Sequence, residues 1–274
     1  MSDIKGTEKL VSILIVAYNA DTFIDKTIRS CLEQSYQNIE LLILDNKSRD
    51  NTVDVITSFN DPRIRLYRND RNFSPYDGLN YLIERAAGDY IAIQDHDDIW
   101  FREKIDAQVT FLNDNQDFIA CGTNTYFFYE NRNILILIDN PAVADIVTHT
   151  SLVFRRGDFR YHTDYVLADE HFMRRVLQRS GKIACLQKPL CVHRMRADAK
   201  NLSSYRFTLS TKNIKDFFMI NGVTIRSAMY FCYLLTRDVL PESLVWYIRK
   251  NITLRKKEWI SLSAFKDRHP NVLL

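Results

Sequence analysis

The first hundred residues repeat one pattern. A short apolar run stops at polar turn residues, and positions with helical spacing follow. Val11-Ser12-Ile13-Leu14-Ile15-Val16-Ala17 is rich in β-branched residues, as in a strand buried on both faces. Tyr18-Asn19-Ala20-Asp21 supplies turn and cap chemistry, and Phe23, Ile24, Ile28, Cys31 and Leu32 then fall on one helical face. Leu41-Leu42-Ile43-Leu44 predicts a second strand, halted by Asp45-Asn46-Lys47-Ser48. A helix beginning at Asp50-Asn51-Thr52 carries Val53, Val55, Ile56 and Phe59. Asp61-Pro62 ends it before a third strand, Ile64-Arg65-Leu66-Tyr67. Gly78 to Ala87 predicts a helix closed by Gly88, and Tyr90 to Ile93 a fourth strand.

Such alternation predicts a mostly parallel sheet with helices on both faces. The loops that follow parallel strands share one edge of the sheet, so Tyr18-Asn19, Asp45-Asn46 and Asp95 to Asp98 are expected to converge. The second half is less regular. Ile134 to Ile138, Leu152 to Phe154 and Ile183 to Leu186 predict strands, and Asp169 to Ser180 predicts a helix closed by Gly181. After Asn201 the pattern turns helical, at Met229 to Leu235 and at Ser243 to Ile248.

Composition bounds these readings. The 274 residues, 46% hydrophobic and 26% charged, suit a soluble globular chain of one large domain or one domain with an appendage. The N-terminus lacks the apolar core of a signal peptide, and no window of about 18 apolar residues predicts a membrane span. Five scattered cysteines without a C-x-x-C pair predict reduced core thiols in a cytoplasmic protein. The net charge of +3 hides an asymmetry. From Tyr205 onward twelve Lys or Arg face five Asp or Glu, a net of +7, so the preceding residues carry −4. The basic residues are interleaved with large apolar ones and match no nucleic-acid motif, so no nucleic acid is expected as partner.

The most pointed chemistry lies at Tyr90-Ile91-Ala92-Ile93-Gln94-Asp95-His96-Asp97-Asp98-Ile99-Trp100. An apolar strand ends there in three carboxylates within four residues. Like charges packed this densely repel unless a cation sits among them. Hard divalent ions favour a few carboxylate oxygens and share them with substrate phosphates. Bulky Ile99, Trp100 and Phe101 follow at once, which a merely solvated turn seldom shows.

Four segments in this order, VSILIVAYN, LLILDNKSRDNT, GDYIAIQDHDDIW and LADEHFMRRV, resemble the family 2 glycosyltransferases of the GT-A fold over roughly residues 10 to 203. The resemblance implies an α/β, Rossmann-like sheet. It also implies transfer of a sugar from a nucleoside-diphosphate donor, UDP- or dTDP-linked, to an acceptor hydroxyl with inversion, commonly aided by Mn²⁺ or Mg²⁺. It places Ala17, Tyr18, Asn19, Asp45 and Asn46 at the nucleotide, with Asn46 where the family usually has an Asp. Asp95 and Asp97 match the D-x-D pair that meets the metal, and His96 lies between them at the donor. Asp98 reads equally as a metal ligand or as the N-cap of a helix entered at Trp100-Phe101-Arg102. Asp169 aligns with the general base, with Glu170 as its neighbour and alternate; both could instead serve as helix-start acids. Val192-His193-Arg194-Met195-Arg196 resembles a late motif in which Arg196 takes the place of a His, so Arg194 and Arg196 are candidates to clamp the diphosphate. A basic surface loop is the alternative there. His149 and Thr150-Ser151 precede a strand where acceptor-side residues often lie. The wording Q-D-H-D-D-I-W looks like members that move deoxysugars, so the sugar expected is a hexose or deoxyhexose.

The division expected is a catalytic domain over 1–204 and a basic, aromatic-rich helical region over 205–274. The acceptor expected is a glycan or a lipid-linked sugar; basic aromatic helices can lie on an anionic membrane, which would suit a lipid-linked acceptor at its inner face. Alternatively the aromatics pack back on the catalytic domain or form a homo-oligomer interface. Two other functions stay open at this point. A nucleotidyltransferase would use a similar sheet, although Ala17-Tyr18-Asn19-Ala20 lacks the glycines of a phosphate loop, and a silent sugar-nucleotide-binding partner is the other.

Overall fold

The computed structural model describes residues 8–165, 167–196, 210–236 and 257–274. Its first half follows the periodicity: β1 Val11–Ala17, α1 Ile24–Leu32, β2 Ile39–Asp45, α2 Thr52–Thr57, β3 Ile64–Arg68, α3 Pro75–Ile83 and β4 Tyr90–Asp95. α3 starts three residues before the expected Gly78, because Ser74 caps it and Pro75 fits the first helical position. Then come β5 Ile99–Trp100, α4 Lys104–Asp114, β6 Phe118–Tyr129, β7 Ile134–Ile138, β8 Val143–Ala144 and β9 Val153–Arg155. α5 Ala168–His171, β10 Lys182–Met195, α6 Thr211–Asn221, α7 Ile225–Thr236, β11 Lys257–Ser261 and α8 Leu262–Arg268 complete the described elements.

The main path of the sheet runs β11-β7-β6-β9-β4-β1-β2-β3, with β10 beside β6. β3, β2, β1 and β4 are mutually parallel, as are β6 and β10. β9 enters antiparallel between β4 and β6, and β7 and β11 continue antiparallel to the edge. Strands of the parallel half are apolar on both faces because each face has its own cover. Ile13, Ile15, Leu41, Ile43 and Ala92 share a core with Ile24, Ile28 and Ile105. Leu14, Leu42, Leu44, Ile91 and Ile93 face Leu79, Leu82, Phe172 and Met173.

Several segments depart from the sequence pattern. The expected helix over 169–180 is broken: α5 passes into a π-helical stretch, Phe172–Val176, and a final 3₁₀ turn, Leu177–Arg179. The strand expected at 183–186 extends to Met195, so His193, Arg194 and Met195 lie in β10 and not in a surface loop. The region after 205 is not wholly helical, since β11 pairs with β7 and Phe265 of α8 is buried beside Tyr126 and Phe128. The helix expected at 243–248 lies outside the described residues. Among the described residues no helix is long and apolar enough to cross a membrane.

Candidate active site

Parallel register brings the polar loops to one edge. Ala17 pairs with Asp45, and Val16 with Asp95, so the chain leaves β1, β2 and β4 at the same level. Asn19 adopts a left-handed conformation (φ 47°). Its N–H donates to Ser48 Oγ at 3.0 Å, and its side-chain oxygen accepts from the Arg49 N–H at 2.9 Å, which stitches the first loop to the second. Tyr18 is left 39% exposed at this edge, and Asp45 is buried with Oδ1 accepting from the Ser48 N–H at 3.3 Å.

Asn46 is buried and its amide is fully engaged. Its nitrogen donates to Asn72 Oδ1 and the Phe73 carbonyl, each at 2.8 Å. Its oxygen accepts from Asn69 Nδ2 at 3.1 Å and the Phe73 N–H at 2.9 Å. Two donors and two acceptors exhaust an amide. Asn46 therefore clasps the 69–73 loop, and a contact with a nucleotide base would require one of these bonds to open.

The three carboxylates after β4 have separate environments. Asp98 is completely buried. It accepts from His193 Nδ1 at 2.8 Å and from the Arg194 N–H at 2.7 Å. It does not cap a helix: Ile99–Trp100 is strand, and α4 starts only at Lys104. Burial pushes the Asp98 carboxyl up. Burial alone would lower the His193 imidazole, but the Asp98 charge outweighs it and pushes His193 well up. Asp95 lies with Oδ1 3.7 Å from His149 Nδ1, an ion-pair distance longer than a hydrogen bond. Burial works against its charge, but the His149 charge holds its carboxyl below the usual range. Asp97 Oδ2 lies 3.9 Å from Arg196 Nη1, and the guanidinium sits over the Phe23 ring at 4.8 Å. His96 Nδ1 meets the Val16 carbonyl at 3.3 Å, which makes that nitrogen the donor; Nε2 is buried without a hydrogen-bond partner among the described residues.

These contacts test how a divalent cation would fit. Ligand atoms of Asp95, Asp98 and His193 lie within 4.8 Å of one another. The last two hydrogen-bond each other, so ligation by both would require that bond to open. Asp95 and Asp97 meet their cations only at 3.7 and 3.9 Å and retain lone pairs to offer a hard ion. The described group with ligand spacing is thus Asp95, Asp98 and His193, while the Asp97 carboxylate keeps its lone pairs beside it. Arg194 is spent elsewhere: Nε donates to the Asp97 carbonyl at 3.0 Å and Nη1 to Glu130 Oε1 at 2.6 Å.

A cluster of rings flanks this edge. Tyr76 of α3 stacks on Tyr161 with centroids 5.5 Å apart and meets the edge of His149 at 6.1 Å. His149 Nε2 and Tyr161 OH are 2.8 Å apart. The hydroxyls of both tyrosines are raised by burial first, then by the charges of Asp169 and Asp95. Asp169 on α5 and Asp95 at the end of β4 thus act on the same aromatic pair, although 74 positions separate them in the chain. Glu170 also raises Tyr76, more weakly than Asp169 does, but its carboxylate is engaged by another helix. It is 8% exposed, and Oε1 accepts from Tyr230 OH of α7 at 3.1 Å. Burial and the neighbouring Asp169 charge push its carboxyl up to about 7. Tyr76, Tyr161 and Tyr230 carry no motif. A 3.6-residue repeat places Tyr76 on α3, but nothing local marks it as packing against His149 and Tyr161.

A protein-family model described as glycosyl transferase family 2 matches residues 12–177. One curated relative is the Escherichia coli UDP-Glc:alpha-D-GlcNAc-diphosphoundecaprenol beta-1,3-glucosyltransferase WfgD, 36% identical over 54% of this chain and 54% of its own length. This chain spans about half the length of the first curated relatives it matches. Among solved structures, Staphylococcus aureus TarS 1–349 with UDP-GlcNAc superposes with a TM-score of 0.64 at 15% identity, over 83% of this chain and 70% of that one. Mannosyltransferase PcManGT from Pyrobaculum calidifontis, with GDP-Man and Mn²⁺, gives 0.60 at 14% identity, over 88% and 84%.

Proposed function

The chain belongs to glycosyl transferase family 2, and from that premise we propose that it moves a hexose or deoxyhexose from a nucleoside-diphosphate sugar to a sugar hydroxyl on a lipid-linked diphosphate acceptor, with inversion. It is a glycosyltransferase with the GT-A fold, which removes nucleotidyl transfer as an alternative. The lipid-linked acceptor is suggested by the activity of WfgD, and the UDP donor by that activity and by the UDP-GlcNAc complex of TarS.

One observation carries the reading. The charges of Asp169, on α5, and Asp95, at the end of β4, both raise the hydroxyls of Tyr76 and Tyr161, which stack on each other beside His149. Displacement with inversion needs a base on one face of the sugar and a leaving group on the other. We assign the base to Asp169, because Glu170 is buried and tied to Tyr230. Asp169 takes the acceptor hydroxyl proton as that oxygen attacks the anomeric carbon, and the nucleoside diphosphate departs with the bonding pair. A divalent cation, Mn²⁺ or Mg²⁺, held by Asp95 and Asp97 would offset the charge growing on the leaving diphosphate. Arg196, beside Asp97, adds a fixed positive charge at the same place. Tyr18 and the Asn19–Ser48 stitch shape the edge where the nucleoside lies. Tyr76 offers an aromatic face to the acceptor sugar.

The test is a screen of UDP-, dTDP- and GDP-sugars against a diphospholipid-linked sugar, scoring product and released nucleoside diphosphate. Transfer that survives unchanged in Asp169→Asn would sink the base assignment, and failure of every donor would sink the function.

A further inference from the structure

Behind the turn that carries Asp169 lies a second concavity. A cavity of about 380 Å³ is lined by His162, Tyr165, His171, Arg175 and Arg179, with Asp158 as its acidic member. Tyr165 stacks on His171 with centroids 4.0 Å apart, and His162 meets His171 edge-on at 5.1 Å. His171 is 7% exposed, and its Nδ1 is buried without a hydrogen-bond partner among the described residues. Arg175 Nε is buried in the same condition. Burial, then the positive charges of His162, Arg175 and Arg179, push the His171 imidazole down to about 4; Asp216 opposes them. The wall of the cavity is thus a concentration of cationic and N–H donor groups, suited to an anion that accepts several hydrogen bonds.

The same wall is tied to the α6–α7 hairpin. Arg175 Nη2 donates to the carbonyls of Met219 and Ile220, at the end of α6. Gly222, at φ 72°, turns the chain into α7. Inside the hairpin Phe217, Phe218 and Phe231 pack ring against ring. Outside it, Val223 is 87% exposed, Ile225 82%, Met229 57% and Met219 38%. Lys212 and Lys215 on α6 are exposed as well. A cluster of large apolar side chains at the end of a helix that also bears exposed lysines suits an anionic lipid surface better than open water.

We propose that this cavity binds the phosphate of a lipid-borne anion while the tip of the hairpin, Val223, Ile225 and Met229, rests in the lipid surface. The inference deepens the function proposed above and rests on its lipid-linked acceptor. A phosphate gripped by Arg175, Arg179 and the two imidazoles would lie against His171 of α5, two positions along the chain from Asp169.

Full-length chain is sedimented with vesicles of phosphatidylethanolamine and phosphatidylglycerol, and with phosphatidylcholine alone. Two variants accompany it: His162→Gln with Arg179→Gln, both exposed positions of the cavity, and Val223→Asp with Ile225→Asp at the tip. Inorganic pyrophosphate is titrated calorimetrically in saturating UDP, which fills the donor site. The wild type is expected to bind the anionic vesicles, with partitioning down about tenfold in each variant. Pyrophosphate binding should vanish in the cavity variant and persist in the tip variant. A wild type that does not sediment overturns the proposal, as does a cavity variant that sediments and binds pyrophosphate like the wild type. Light scattering that finds a dimer broken by the tip variant makes the hairpin an interface between copies and also overturns it. Donor hydrolysis by the same preparations keeps the two readings apart. Hydrolysis without vesicle binding defeats this inference alone; vesicle binding without hydrolysis defeats the functional reading alone.

Discussion

Tyr230 on α7 donates its hydroxyl to Glu170 Oε1 at 3.1 Å, so the helical hairpin after residue 210 is fastened to the turn that bears Asp169. Adjacent carboxylates in one helical turn have different surroundings. The Asp169 charge bears on Tyr76 and Tyr161, whereas Glu170 is buried and accepts the Tyr230 hydroxyl.

The two carboxylates should separate in kinetics. Asp169→Asn is expected to lower kcat by about 10²- to 10⁴-fold, the usual scale for a general base. Glu170→Gln keeps an acceptor for Tyr230 and should retain kcat within about tenfold. Steady-state rates for both variants with one donor and one acceptor decide between them. A larger loss in Glu170→Gln would move the base to Glu170.

Glu170 also predicts a pH dependence of stability. Its folded pKa is raised from 4.5 to about 7, so the folded state holds a proton that the unfolded chain releases earlier. The stabilisation is fully present below about 4.5 and is lost as pH rises through about 7, by roughly 3 kcal/mol at most. Thermal melts between these limits should show the wild-type Tm falling relative to Glu170→Gln. Parallel Tm curves for the two proteins would count against a buried, proton-holding Glu170.

The pair His193–Asp98 predicts a stability effect of another kind. Asp98 is completely buried and accepts from both His193 Nδ1 and the Arg194 N–H. Removing one partner of a buried pair strands the other, at about 3 to 5 kcal/mol. Asp98→Ala should therefore lower Tm by roughly 10 °C, at about 2 to 4 °C per kcal/mol for a chain of this size. Differential scanning calorimetry checks it, and a drop of only a degree or two would mean that the pair holds little.

The parallel half of the sheet was legible because Leu14 and Ile15, or Leu42 and Ile43, need opposite covers, and only a two-sided strand supplies them. Convergence of Ala17, Asp45 and Asp95 then followed from strand order. β6 was not legible, since Thr123, Asn124 and Thr125 in its middle are polar yet buried and read locally as a loop. β10 was hidden by Gln187, Lys188 and Pro189, where the register with β6 shifts. The π-helical stretch keeps an apolar face that hydropathy cannot tell from an α-helix. His193 as the partner of Asp98 had no local signal, because the two meet only when β10 is laid beside β5.

Asn46 separates a scaffold role from base contact. Its amide makes four hydrogen bonds to residues 69–73. Asn46→Ala removes all four, and its partners, half-buried at Asn69 and Phe73 and exposed at Asn72, turn partly to water, so a loss of about 1 to 3 kcal/mol is expected. Hydrogen exchange should quicken at Phe73, whose N–H loses its acceptor. If UDP affinity fell while exchange at Phe73 stayed as in the wild type, Asn46 would be a base contact first.

The charge beside Asp97 should tell in nucleotide binding. Arg196 Nη1 lies 3.9 Å from Asp97 Oδ2, and its plane rests over Phe23. A guanidinium held there offers planar, two-pronged donation to a diphosphate, while a lysine ammonium would offer only a point charge. Titration of UDP with and without Mn²⁺ should rank affinity as wild type, then Arg196→Lys, then Arg196→Ala. The alanine variant is expected to lose about tenfold, the worth of one charge-assisted hydrogen bond. Asp97→Ala should instead remove the gain that Mn²⁺ brings and leave metal-free affinity nearly unchanged or higher, because a repelling carboxylate has gone. The two side chains touch, so the double variant should depart from additivity. An Arg196→Ala protein that binds UDP as tightly as wild type under both conditions would remove Arg196 from the diphosphate and leave the cation alone to neutralise it.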